Sequence, residues 1–198
     1  MTDLSPTRRA EDADALRPVL AAAREAFARF GVHRTRMEDI AAGADMPRQY
    51  LYRHVSSKDE LIELALLERC REFSDAIAAH AASATGPLED QFVDVLVESV
   101  IVGREDSEFA YLAEALPRAR LNLLLTGSGS PMHGYVKRCL DPILGRARDA
   151  GRLRTDVSED DMVDWIQGVM TWLTPREDLA ADDMRRTLRS FALPSLLM

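Results

Sequence analysis

Residues Thr35 to Lys58 read TRMEDIAAGADMPRQYLYRHVSSK, and this stretch decides the fold. Its pattern predicts two short helices separated by a turn of three or four residues, the layout of a helix-turn-helix. Ile40, Ala41 and Ala44 form the apolar side of the first helix, and small Ala42, Gly43 and Ala44 let the second helix cross close against it. Asp45 stands where the turn needs a left-handed residue, a conformation Asp tolerates better than most. Pro47 opens the second helix, where its missing N–H costs nothing. Leu51 and Val55 face inward at i, i+4, which leaves Arg48, Gln49, Tyr50, Tyr52 and Arg53 facing out. An exposed face with Arg, Gln and two tyrosines but no Asp or Glu suits base edges and phosphates. The competing reading of the same spacing is an amphipathic hairpin whose basic residues are merely solvated.

The next element favours the first reading. Ser57-Lys58-Asp59-Glu60 has the S-x-x-E form of a capping box, so a further helix starts directly after Ser57. That sets Lys58 and the first amides of the new helix beside the recognition helix, where a DNA backbone would pass.

With these residues in hand, the segment from Val19 to Leu64 resembles the N-terminal DNA-binding domain of the TetR family of transcriptional regulators. The matching signature runs through Leu20, Ala23, Phe27 and Gly31, then Thr35, Asp39-Ile40-Ala41 and Ala44, then Leu51-Tyr52, His54, Lys58 and Leu61. The resemblance implies an all-α homodimer: an N-terminal three-helix helix-turn-helix domain and a C-terminal helical ligand-binding and dimerisation domain. It implies repression of transcription until a small molecule binds the C-terminal domain. The expected division is 1–60 and 61–198, with residues 1–14 a mobile charged tail. Two departures stand out. Asp45 replaces the family's usual Gly, and Pro47-Arg48-Gln49-Tyr50 replaces its usual Ser and small residue at the head of the recognition helix. The second departure touches the base-reading positions, so no relative's operator carries over. Arg48, Gln49 and Tyr50 are expected on bases or adjacent backbone. Tyr52, His54 and Lys58 are expected on phosphates, with Arg36 counted in the same DNA-binding surface.

Charge distribution agrees. From Arg29 to Lys58 six basic residues face three acidic ones, whereas from Leu61 onward 15 basic residues face 23 acidic ones. The whole chain of 198 residues carries −8, which excludes a protein that coats nucleic acid indiscriminately, while a basic head on an acidic body orients it on a polyanion. An apolar fraction of 46% suffices for a sizeable core. Residues 1–15 lack the apolar region of a signal peptide, no apolar run reaches membrane-spanning length, and Cys70 and Cys139 form no metal or redox motif. A cytoplasmic location, no membrane partner and reduced thiols are therefore expected.

Helices are expected throughout. Pro18 is acceptable only near a helix start, which sets the first helix to begin at Asp14 to Arg17. Thr35 and Glu38 suit a capping box for the second. A long helix runs from Ser57 to about Ala84, ended by Thr85-Gly86-Pro87; it belongs to both domains and so can carry a shift between them. Residues 88–106 alternate valines as a strand would, but Phe92, Leu96 and Val100 repeat every four residues, which predicts helix. Ser107 to Leu116 is a short helix ended by Pro117, followed by another short one. Met132 to Ala150 is a helix that Pro142 should kink. Val157-Ser158-Glu159-Asp160-Asp161 reads as a staple and cap for the helix containing Trp165, Val169 and Trp172, and the last helix spans about Ala180 to Leu193.

No nucleophile elbow, glycine-rich phosphate loop or metal-spaced His or Cys pair is present, so no catalytic residue, metal or cofactor is assigned. The alternative to a regulator is a helical scaffold or protein-binding adaptor, which an absence of duplex binding at low salt would favour. In the C-terminal domain, Leu96, Val100, Leu112, Tyr135, Cys139 and Trp165 are the candidates for a largely apolar effector pocket, Tyr135 and Trp165 having polar tips to orient a ligand. Met162, Ile166, Val169, Leu173, Met184, Leu188 and Phe191 are the candidates for a dimer face, which the resemblance assigns to the last two helices. The expected partners are double-stranded operator DNA, a small-molecule effector and a second copy of the chain.

Overall fold

A computed structural model describes residues 6–127 and 129–198, with side chains from residue 16 onward. The described residues form helices α1 to α10, with a single isolated antiparallel bridge between Leu153 and Leu197. The chain divides into two compact units. One comprises the residues up to Glu68 with Tyr111–Pro117, and the other Arg69–Ala110 with Arg118–Met198.

In the first unit, α1 (Pro6–Phe30) buries Val19, Ala22, Ala23, Ala26 and Phe27, the i, i+3, i+4, i+7, i+8 stripe of an amphipathic helix. It starts at Pro6, well ahead of Asp14, so Pro18 lies inside it. The tail expected over residues 1–14 is thus helical from Pro6, and residues 1–5 lie outside the described residues. Gly31 ends α1 with a positive φ of 81°, its N–H donating to Phe27 O at 2.9 Å. Thr35 does not cap the next helix. Its buried hydroxyl donates to Ala26 O and Gly31 O, at 3.1 and 2.9 Å, because the open carbonyls at the end of α1 are within its reach. The cap falls one residue later, where Arg36 N–H donates to Asp39 Oδ2 at 2.8 Å and α2 (Met37–Gly43) begins.

Gly43 packs on α1 rather than on the following helix: a Cβ there would meet Ala22 Cβ at 3.3 Å. Asp45 takes the left-handed conformation, φ 51°, and is the sole non-glycine to do so among the described residues. Pro47 precedes α3 (Arg48–His54), whose Leu51 is fully buried, as is Val55 after it. Ser57 opens α4 (Lys58–Ser83): its Oγ accepts from Glu60 N–H at 3.1 Å, while Glu60 reaches back to Ser56 N–H and hydroxyl, both at 2.6 Å. Helix α4 crosses the division between the units.

The second unit is built on α5 (Leu88–Glu105), α8 (Pro131–Asp149) and α9 (Glu159–Leu173). The valine-rich segment is helix, as the four-residue repeat predicts. Phe92, Val93, Leu96, Val97 and Val100 join Leu140, Ile143, Leu144, Val163 and Ile166 in one core. A buried side chain of this size stabilises by about 1.5–3 kcal/mol, which outweighs the weak strand preference of valine. In chain order α6 (Ser107–Glu114) and α7 (Arg118–Leu125) come between α5 and α8. Helix α8 continues through Pro142 to Asp149. Ser158 caps α9 by accepting from Asp161 N–H at 3.1 Å, but Val157 is 38% exposed and makes a poor staple. The last helix is not uniform: α10 (Ala181–Thr187) passes into a π turn over Leu188–Ala192 and a tight turn over Leu193–Ser195.

Candidate nucleic-acid interface and apolar surfaces

Helix α3 presents an exposed face of Arg48, Gln49, Tyr50, Tyr52 and Arg53, with no carboxylate of its own. Its side chains are ordered by one another. The Arg48 guanidinium lies over the Tyr52 ring, 5.5 Å from its centroid, and donates to Tyr52 Oη at 3.4 Å. Arg53 lies over Tyr50 at 5.8 Å, and Tyr50 meets His54 edge-on at 4.9 Å. Arg36 is exposed at the start of α2. The structure therefore brings five of the seven expected DNA-facing residues, Arg36, Arg48, Gln49, Tyr50 and Tyr52, to exposed positions on the helix-turn-helix.

The other two differ. His54 is half-buried, its Nε2 enclosed without a hydrogen-bond partner. Lys58 does not point outward as a free phosphate ligand. Its Nζ donates to Val32 O at 3.1 Å and to His33 O and Thr35 O, both at 3.3 Å. An ammonium has three donors, and all three close the loop between α1 and α2. Glu38 does not serve the capping box its spacing from Thr35 suggests; its carboxylate pairs with Arg48 Nη1 at 2.5 Å. The hint was available only as an acid at the start of α2; its reach to α3 needs the turn. The Tyr52 hydroxyl, then Glu38, hold the Arg48 guanidinium more firmly in its charged form than usual.

The candidate pocket residues separate. Leu96 and Val100 are fully buried in the core of the second unit, with Cys139 nearly so and Tyr135 half-buried. Leu112 is buried in the first unit. Trp165 is 53% exposed, so it is not an inner residue of α9. It lines instead a groove of about 440 Å³ with Gly168, Val169, Trp172, Leu188 and Phe191. The dimer candidates also divide. Met162, Ile166, Leu173, Met184 and Leu188 are buried in the chain's own core, Leu188 at the floor of that groove. Phe191 is 74% exposed, because a π turn holds more residues than an α turn and aligns Ala192, not Phe191, with Leu188. The exposed apolar face is therefore Trp165, Trp172 and Phe191, with Val169 half-buried between them. A three-four spacing alone identifies an amphipathic stripe but not which edge of it remains uncovered.

Two arginines hold the second unit. Arg104 at the end of α5 donates to four carbonyls, Arg176 O (2.7 Å), Leu173 O (2.8 Å), Thr174 O and Leu179 O (both 3.0 Å), so its fork closes the end of α9 and the loop beyond. Arg69 on α4 donates twice to Asp106 Oδ2, at 2.6 and 3.2 Å, and to Glu72 at 2.6 Å, while Asp106 Oδ1 accepts from Phe109 N–H at the start of α6. Burial pushes the Asp106 carboxyl up, but Arg69 and the Phe109 amide outweigh it and hold the group below its ordinary value. Gln167 donates to Leu125 O and Ser130 Oγ and leaves its Oε1 buried without a partner. Cys70 and Cys139 are free and buried, and burial pushes their thiols up to about 12 and about 11. Among the described residues no group of three or more His, Cys, Asp or Glu is placed to hold a metal, and no helix is long and apolar enough to cross a membrane.

Known proteins share this architecture. Residues 19–65 match the family profile described as "Bacterial regulatory proteins, tetR family". Solved structures align over nearly the whole chain. RolR in complex with the ligand resorcinol is 18% identical, with a TM-score of 0.64 over 96% of this chain and 90% of that one. The fatty acid degradation regulator FadR from Bacillus halodurans is 16% identical, with a TM-score of 0.55 over 97% of both chains. SmeT, the repressor of the Stenotrophomonas maltophilia multidrug efflux pump SmeDEF, is 21% identical, with a TM-score of 0.52 over 92% of this chain and 90% of that one. At these identities the likeness to the solved structures is one of fold.

Proposed function

We propose that this chain, whose residues 19–65 match the profile of the tetR family of bacterial regulatory proteins, is a repressor of that family, released from a pseudo-palindromic operator by a small, largely hydrophobic effector. The observation that carries the reading is the exposed face of α3, where Arg48, Gln49 and Tyr50 stand together without an acid on the same helix. Arg48 and Gln49 match base edges, and Tyr52 and Arg36 match phosphates. Residues 1–60 form the DNA-reading head and 61–198 the effector-binding, dimerising body. A second copy of the chain covers Trp165, Trp172 and Phe191, an apolar face that costs solubility if left bare. RolR, which shares this fold, is described with the compact aromatic ligand resorcinol, which supports a small-molecule effector here. In this reading the effector lodges beside Leu96, Val100 and Cys139, apolar side chains where α5 and α8 pack together. Effector and operator are coupled only if the effector binds the two arrangements of the protein with different affinity.

The test is selection of bound fragments from random duplex DNA, followed by titration at several salt concentrations. The expected result is an inverted-repeat site whose affinity exceeds that of unrelated duplex by at least about a thousandfold. No duplex binding at low salt would transfer the chain to the scaffold or adaptor reading.

A further inference from the structure

Glu38 sits in the first turn of α2, at N2, and Arg48 is the first residue of α3. The turn containing left-handed Asp45 folds them together, so that Glu38 Oε1 lies 2.5 Å from Arg48 Nη1. On the other side, Tyr52 supplies a hydroxyl at 3.4 Å from Nη2 and a ring face 5.5 Å from Cζ. Capping does not explain Glu38, since Asp39 accepts the Arg36 amide. Stability does not explain it either: the two side chains are 52% and 57% exposed, and exposed pairs of this kind contribute little. Its cost is electrostatic, because a carboxylate at the head of a DNA-facing helix repels phosphate.

The geometry offers a return for that cost. An arginine has five N–H donors in a planar fork. Glu38 and Tyr52 engage two of them, leaving enough donors for the paired acceptors O6 and N7 of guanine. An arginine held in advance loses less rotamer freedom on binding, and one already paired to a carboxylate gains less from an arbitrary phosphate. We propose that Glu38 is a specificity-determining positioning residue, which with Tyr52 holds Arg48 so that its open N–H edge reads one base pair, a guanine, instead of clasping the backbone. This rests on the DNA-binding reading above.

The experiment uses the full chain and its selected operator. Each base pair of one half-site is changed in turn, in both half-sites together, and discrimination is measured for the parent and for Glu38→Ala, Glu38→Gln, Arg48→Ala and the Glu38→Ala/Arg48→Ala double variant. Thermal melts check that Glu38→Ala keeps the parent fold, and Glu38→Gln, which keeps an acceptor at the same place, serves if it does not. Arg48→Ala is expected to lose preference at one guanine position. Glu38→Ala is expected to lose discrimination at that same position by on the order of tenfold, the lower end of what a bidentate contact provides, while its affinity for unrelated duplex rises. Glu38→Gln should retain part of the preference, and the double variant should be no worse than Arg48→Ala. Full discrimination in Glu38→Ala, or a change equal across all sequences, overturns the inference while leaving DNA binding intact. A parent that selects no duplex overturns the DNA-binding reading and this inference with it.

Discussion

Replacing Phe191 by Ala separates the two faces of the last helix. The ring is 74% exposed, and an aromatic side chain of about 200 Å² then has roughly 150 Å² bare to solvent. At about 25 cal/mol per Å², covering it completely is worth about 4 kcal/mol, and a two-fold dimer covers it twice. Coverage of half that area gives at most about 4 kcal/mol for the pair, and since ordering costs offset part of it, the dimer weakens by up to about a thousandfold. The monomer should scarcely notice, since an exposed ring contributes little to its core: melting of the variant should change by no more than about 0.5 kcal/mol. Leu188→Ala, three residues away, should do the reverse. Leu188 is 1% exposed within the chain's own core, and its truncation should cost about 2–5 kcal/mol of stability. Sedimentation across a wide concentration range reads the first effect and denaturant unfolding the second. A Phe191→Ala protein that dimerises like the parent would refute the assignment of this face.

Lys58→Met should destabilise the head by about 1–3 kcal/mol, because three carbonyls lose a charged donor, and this is readable as an earlier unfolding transition. The salt slope of operator binding should change by less than about one, against the unit change expected of a lost phosphate contact. Asp106 has a depressed carboxyl, so its contribution to stability is present above the unfolded value of about 3.9 and is lost as pH falls through the lower folded value. Unfolding of the parent and Asp106→Asn should accordingly differ near pH 6 and converge at strongly acid pH; a constant difference across that range would remove Asp106 as the cause.

The helix-turn-helix was legible because its signals are local. Gly31 at the end of α1, Asp45 in the turn, Pro47 before α3 and Ser57 before α4 each act through their own backbone or that of residues three to five positions away. Helix rather than strand over 88–105 was legible for a related reason, a four-residue repeat of large apolar side chains. The register of the last helix was not. Its π turn over Leu188–Ala192 sends Phe191 outward, and nothing in the order of residues announces a π turn. Thr35 is of a residue type that fits a cap, yet the carbonyls of Ala26 and Gly31 lie within reach of its hydroxyl and take it.

By itself the sequence determined the all-helical class, the place of the turn and the exposed face of α3, since these follow from periodicity and from the backbone preferences of single residues. Only the tertiary structure decided what long side chains reach: that Lys58 closes the α1–α2 loop, that Glu38 holds Arg48 across the turn, and that Trp165 and Phe191 stay bare while Leu188 is buried. The physical reason is that a long side chain chooses its partner by distance in space, and that distance exists only once the helices have packed.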